Sequence, residues 1–144
     1  YYGTEILMKG EANPDGFVRL DFPGGWKDDP KNAFTGAGLS DAEKGMQQYV
    51  KKLANYRKQS SALRGGKPMQ YLPDDGLYVF FRYDAKQTVM CVMNTSDKEK
   101  TVDFSKFTER TVGFTKGKDV VSGSLLGEKF TIPAKKMWVL ELLK

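Results

Sequence analysis

The chain has 144 residues, with 23 Lys and Arg against 18 Asp and Glu and a net charge of +5. Its lysines fall in scattered pairs, Lys51–Lys52 and Lys135–Lys136, as on a solvated face, not in the basic stripe with interleaved aromatics that nucleic acid requires. There is no histidine, which removes Ser-His-Asp and Cys-His chemistry and most zinc sites, and no apolar run approaches the roughly 18 residues of a membrane span. The expectation is one compact domain, or one and a half, without nucleic acid, membrane, metal or cofactor as a partner.

Three zones follow one another. Residues 1–39 are rich in Gly and Pro and hold no sustained period. The opening "YYG" reads as the end of a strand, on a chain whose N-terminus is either processed or cut from something longer, and no signal-peptide pattern is visible. Residues 40–58 read as one amphipathic helix. Ser40 is the N-cap, Glu43 completes a capping box, and Met46, Tyr49, Val50 and Leu53 fall at i, i+3, i+4, i+7 on one apolar stripe. Lys51, Lys52, Arg57 and Lys58 complement the dipole at its C-terminal half. "RGG" at 64–66 closes the zone.

From residue 67 the period is two. "LYVFFRY" (77–83) aligns Leu77, Val79, Phe81 and Tyr83. "TVMCVM" (88–93) is apolar on both faces and should be a central strand, with Cys91, the lone cysteine, as a core residue and no internal disulfide. "KTVDF" (100–104), "KFTI" (129–132) and "MWVLELL" (137–143) supply further strands, the last turning Trp138, Leu140 and Leu142 to one side. "PDDG", "DAK", "NTSDKE", "TKGKD", "LGEK" and "IPAKK" read as the turns between them. "NTS" at 94–96 also matches a glycosylation sequon, which marks only an exposed turn. Tyr78 and Phe80 lie on the opposite face from Leu77 and Val79, as a second packed layer or as an exposed binding platform. The fold class is mainly β: an antiparallel β-sandwich preceded by one amphipathic α-helix and an irregular Gly/Pro-rich N-terminal segment.

Taken in order, "YYGTE", a glycine-rich insertion, "VRLDFPGGW", a helix ending "LANYRKQSSALRGG", "DGLYVFFRYD" and "MCVMNTS" resemble the C-terminal end of an α-amylase-type glycoside hydrolase, closest to the neopullulanase and cyclomaltodextrinase branch. The resemblance implies a (β/α)8 barrel followed by a small antiparallel sandwich. Residues 1–66 would be the barrel's last strand (Tyr1–Glu5), the loop at its catalytic face and its last helix, and residues 67–144 the sandwich. It implies retaining hydrolysis of α-glucans by a bacterial parent, periplasmic or otherwise exported. The catalytic carboxylates come from earlier barrel strands, so no catalytic residue is expected here, and the missing barrel in cis and α-glucan oligosaccharides bound through the parent are the expected partners. The pairs Asp28–Asp29 and Asp74–Asp75 read as turn formers.

Within that frame the loop "DGFVRLDFPGGW" should border the substrate cleft. Trp26 can stack on the apolar face of a sugar at little side-chain entropy cost. Arg19 and Asp21 are spaced to share one side of an extended segment, where they can pair or bind hydroxyls. Gly24–Gly25 allows a sharp turn. Glu5 and Tyr2, at the strand end, are further substrate candidates. The competing expectation is that Phe22, Pro23 and Trp26 only pack the loop down. A stand-alone carbohydrate-binding module is the alternative for the chain as a whole, and the helix at 40–58, which such a module does not need, argues against it.

Overall fold

The computed structural model describes residues 1–14 and 16–144. Asp15, first residue of the unusual loop, lies outside the described residues. The chain divides into two compact units, Tyr1–Lys52 and Leu53–Lys144.

In the first unit the expected strand end at Tyr1–Glu5 is a turn followed by a 3-10 helix, Thr4–Ile6. A strand needs a neighbour to take its N–H and C=O groups. Among the described residues of 1–52 the β pairing is a single bridge, Asn32 to Ala37. Gly3, at φ +82°, also turns the backbone where a side chain would be strained. Ile6, Ala33 and Leu39 form a small core with Met8 and Phe22 packed on it.

Helix α1 (Asp41–Gln59) begins one residue later than the sequence suggests, with Ser40 as its cap. The capping box is present: the Ser40 N–H donates to Glu43 Oε2 at 2.7 Å, and the Glu43 N–H to Ser40 Oγ at 3.3 Å. No residue of α1 is buried. Met46, Tyr49 and Leu53 are half-buried, and Val50 is exposed.

The second unit contains α2 (Ser61–Gly65) and eight strands: β1 (Lys67–Gln70), β2 (Leu77–Tyr83), β3 (Thr88–Asn94), β4 (Lys100–Asp103), β5 (Lys116–Asp119), β6 (Leu125–Gly127), β7 (Lys129–Ile132) and β8 (Lys136–Leu143). Six form one antiparallel sheet in the order β1-β2-β3-β8-β5-β6, and β4 pairs with β7. β3 is central because it is apolar on both sides; only Met93 of its seven residues is less than buried. Its two faces serve two cores. Met90 and Val92 join Val79, Phe81, Leu140 and Leu142 of the sheet against Val102, Phe104, Phe107, Phe130 and Ile132. Val89 and Cys91 join Val139 under Ala62, with Leu53, Tyr56, Leu63 and Phe80 packed around them. Trp138 is half-buried at the margin of the first core, its ring 5.9 Å from that of Phe130.

Four sequence readings are corrected here. "TKGKD" is not a turn: Lys116–Asp119 is β5, hydrogen-bonded to β8 and β6. In "LGEK" the turn is shorter than expected: Leu126 and Gly127 end β6, Glu128 alone bends, and Lys129 begins β7. A 3-10 helix (Phe104–Phe107) and the short α3 (Thr108–Thr111) separate β4 from β5, so Phe104, read as the end of the strand 100–104, opens a helical turn instead. Asn94 is not in an exposed turn; it is 1% exposed. Its Nδ2 donates to the carbonyls of Lys98, Pro133 and Ile132 at 2.7, 3.0 and 3.3 Å. Its Oδ1 accepts from the Ser96 N–H and hydroxyl, so the sequon asparagine is a structural clamp.

Candidate functional site

The loop of the first unit is built around two short side-chain acceptors. Asp29 Oδ2 accepts from the backbone N–H groups of Gly24, at 2.7 Å, and Trp26, at 3.1 Å. Asn32 Oδ1 accepts from those of Phe34 and Thr35. Each satisfies donors that the irregular backbone leaves open. Asp29 is thus a turn former, as the sequence indicates. The Ala33 N–H reaches the Pro23 carbonyl at 3.0 Å, and the Phe22 and Phe34 rings lie 5.6 Å apart.

On this frame three candidate residues come together. Trp26 Nε1 donates to Asp21 Oδ2 at 3.1 Å, and the Tyr2 hydroxyl donates to the Leu20 carbonyl at 2.7 Å. Partial burial and then the adjacent Tyr1 raise the Tyr2 hydroxyl pKa above its ordinary value; Asp21 adds to the rise and Arg19 opposes it, so both charges lie near that hydroxyl. Trp26 is 68% exposed. The indole is therefore oriented by its N–H while most of its surface faces solvent. Arg19 does not stand in an extended segment with Asp21 as expected: its N–H closes a turn onto the Gly16 carbonyl at 2.9 Å. Glu5 sits half-buried on the 3-10 helix, and among the described residues the hydrogen bonds of the Tyr2–Asp21–Trp26 group run through Leu20, Asp21 and Trp26.

Beside this group is a cavity of about 480 Å³ whose lining includes Ile6, Met8, Leu20, Asp21, Lys31 and Glu43. Lys31 Nζ pairs with Glu43 Oε1 at 2.7 Å. That contact, then the Ser40 N–H and hydroxyl, holds the Glu43 carboxyl down at about 2.

In the second unit, the face carrying Tyr78 and Phe80 is a packed layer. Phe80 lies in the second core with Tyr56 and Leu63. Tyr78 stacks on Phe80 at 5.4 Å and spends its hydroxyl on Gln70 Oε1 at 2.7 Å. Sequence reasoning missed a different cluster, in which the Arg110 guanidinium lies over the Tyr83 ring, 3.9 Å from its centre. Tyr83 was visible only as the last residue of an alternating strand, and Arg110 stands in a segment without apolar period.

Residues 68–141, just over half of the chain, match the family model of the cyclo-malto-dextrinase C-terminal domain, and the chain belongs to that family. Among solved structures it is similar to an α-amylase from Anoxybacillus, with a TM-score of 0.69 and 22% identity over 99% of this chain and 28% of that one. It is likewise similar to the α-amylase of Geobacillus thermoleovorans complexed with acarbose, with a TM-score of 0.68 and 22% identity over 100% of this chain and 29% of that one. A maltogenic amylase from S. marinus gives a TM-score of 0.61 and 16% identity over 98% of this chain and 16% of that one. The likeness at these identities is one of fold. The chain spans less than a third of the length of these structures.

Proposed function

We propose that the chain is the non-catalytic C-terminal portion of an α-glucan hydrolase of the cyclomaltodextrinase and neopullulanase type. In this reading residues 1–66 complete a (β/α)8 barrel and residues 67–144 are the sandwich that supports it. The observation that carries the reading is α1. It is a capped helix of 19 residues with none buried and with Met46, Tyr49 and Val50 along one side. A surface helix draws most of its stability from packing its apolar stripe, and the last helix of a barrel finds that packing on its neighbours.

The parent's carboxylates would lie before this chain and carry out retaining cleavage of starch-derived glucans. Trp26, held by Asp21, would stack on a sugar ring at the cleft, with Arg19, Glu5 and Tyr2 close to the same mouth. Aromatic stacking contributes about 0.5–1.5 kcal/mol beyond area burial, so Trp26→Ala in the parent should raise KM for β-cyclodextrin about three- to tenfold with kcat nearly unchanged. The test measures reducing ends released from starch, pullulan and β-cyclodextrin by the 144-residue chain and by a protein carrying it at its C-terminus. Hydrolysis is expected only from the latter. Hydrolysis by the chain alone, or an unchanged KM in the variant, would contradict the assignment.

A further inference from the structure

One end of the sandwich holds a second cleft, in the unit Leu53–Lys144. It has a volume of about 480 Å³ and is lined by Gly65, Gly66, Lys67, Tyr83, Asp84 and Arg110, with Ala85. Three features distinguish it from a surface dent. Arg110 is fixed by stacking on Tyr83, yet its Nε–H is buried without a hydrogen-bond partner among the described residues. Arg110 as a whole is only half-buried, so its terminal N–H groups, not the enclosed Nε–H, are the donors a ligand can reach. Lys67 stands directly opposite Tyr83 in the β1–β2 register, which brings its side chain to the same face. The backbone itself shapes the floor: a Cβ on Gly66 would fall 2.4 Å from the Ala62 carbonyl oxygen and 2.6 Å from that of Tyr83, so only glycine lets α2 leave so close to the end of β2.

The lining is mixed in a way that selects a ligand class. Arg110, Lys67 and the Tyr83 hydroxyl are donors. Asp84 is an acceptor, its Oδ1 anchored by the N–H groups of Lys86, at 2.7 Å, and Gln87, at 2.8 Å. An anion would meet the Asp84 carboxylate, and an apolar ligand would strand four polar side chains. Vicinal hydroxyls can accept from a planar guanidinium and an ammonium while donating to a carboxylate. We propose that this cleft is a carbohydrate-binding site that holds a sugar residue through adjacent hydroxyls, apart from the Trp26 loop and from the Tyr78–Phe80 face. That the sugar is an α-glucan rests on the hydrolase reading above; the cleft's preference for hydroxyls does not.

The 144-residue chain, labelled with 15N, is titrated with maltoheptaose and separately with inorganic phosphate, as wild type and as Arg110→Gln and Gly65→Leu. A Cβ on Gly65 meets nothing within 4 Å, so a side chain can start at this lining position without a clash at Cβ, and leucine there should narrow the cleft. Saturating shifts at the amides of residues 65–67, 83–85 and 109–111, with Kd near 1 mM (about −4 kcal/mol) and weakening at least roughly fivefold (about 1 kcal/mol) in both variants, support the site. Silence at those amides up to about ten times that Kd, shifts with phosphate but not sugar, or sugar shifts confined to Trp26 or Tyr78, overturn it. The outcome is independent of whether the parent hydrolyses glucan, because the hydrolysis assay reads the barrel and the titration reads this cleft.

Discussion

Replacing Asn94 by alanine tests the account of the sandwich most directly. Asn94 ends β3, and its amide group joins the β3–β4 turn to the segment that follows β7. Alanine removes the contacts of two amide N–H groups with three carbonyls, those of Lys98, Pro133 and Ile132, and two accepted bonds from Ser96. A typical hydrogen bond contributes about 0.5–1.5 kcal/mol net, and a partner left unsatisfied in the interior costs about 1–3 kcal/mol. The bond to Ile132 is fully buried, whereas the others lie near enough to the surface for water to replace part of their value. The expected loss is about 3 kcal/mol, a large share of a total that is about 5–15 kcal/mol for a domain. Urea unfolding followed by tryptophan fluorescence measures it, with the slope of the transition as a check that the unfolded state is unchanged. Asn94→Asp is the discriminating partner. It keeps the acceptor for Ser96 but turns a carboxylate toward three carbonyls, and should be no more stable than the alanine variant at neutral pH. A loss below about 1 kcal/mol in Asn94→Ala, or wild-type stability in Asn94→Asp, would refute the clamp.

Two other expectations concern titratable groups. Glu43 has its pKa depressed to about 2 by Lys31 and then by Ser40, so its contribution is present above the ordinary carboxyl range near 4.5 and is lost as pH falls through about 2. The helical circular dichroism of the chain should weaken across that acid window, and Glu43→Gln should flatten the pH dependence; an unchanged profile would dismiss the contact. Burial pushes the Cys91 thiol up to about 12, so at pH 8 a disulfide reagent should label it only through unfolding, at a rate that rises with urea. Fast stoichiometric labelling of the native chain would place Cys91 outside the core.

What the sequence discloses and what it hides follow from how burial is achieved. β2, β3 and β8 are written in alternating or continuous apolar letters, and the core residues Val79, Phe81, Met90, Val92, Leu140 and Leu142 come from those segments. The helix was legible because Ser40 and Glu43 announce its start. β5 was not legible because its two buried positions are Gly117 and Asp119. Gly117 is needed for thinness: a Cβ there would press within 3.2 Å of Leu140. Asp119 is buried because its Oδ2 is held by the Ser122 N–H and hydroxyl, so neither residue leaves a hydrophobic signal. In the loop, the pairing of Trp26 with Asp21 fits the short spacing between them. The separation of Arg19 from an extended line depends on a turn at Gly16 that composition does not specify. The Arg110–Tyr83 cleft joins residues from separate elements, and no local pattern foretells such a meeting.

The order β1-β2-β3-β8-β5-β6 gives the chain a built-in timing. β8 is made after every other strand, yet it lies between β3 and β5 and is the partner of both. On the ribosome, β1–β3 and β5–β6 can form only as two separate fragments, each exposing an unpaired edge, until Lys136–Leu143 emerges. With synthesis at about 5–20 residues per second, those edges wait for several seconds beside nascent chains that can pair with them. A message cut short before residue 136 therefore yields no smaller version of the domain; it yields two sticky half-sheets, marked by their missing central strand for degradation or aggregation.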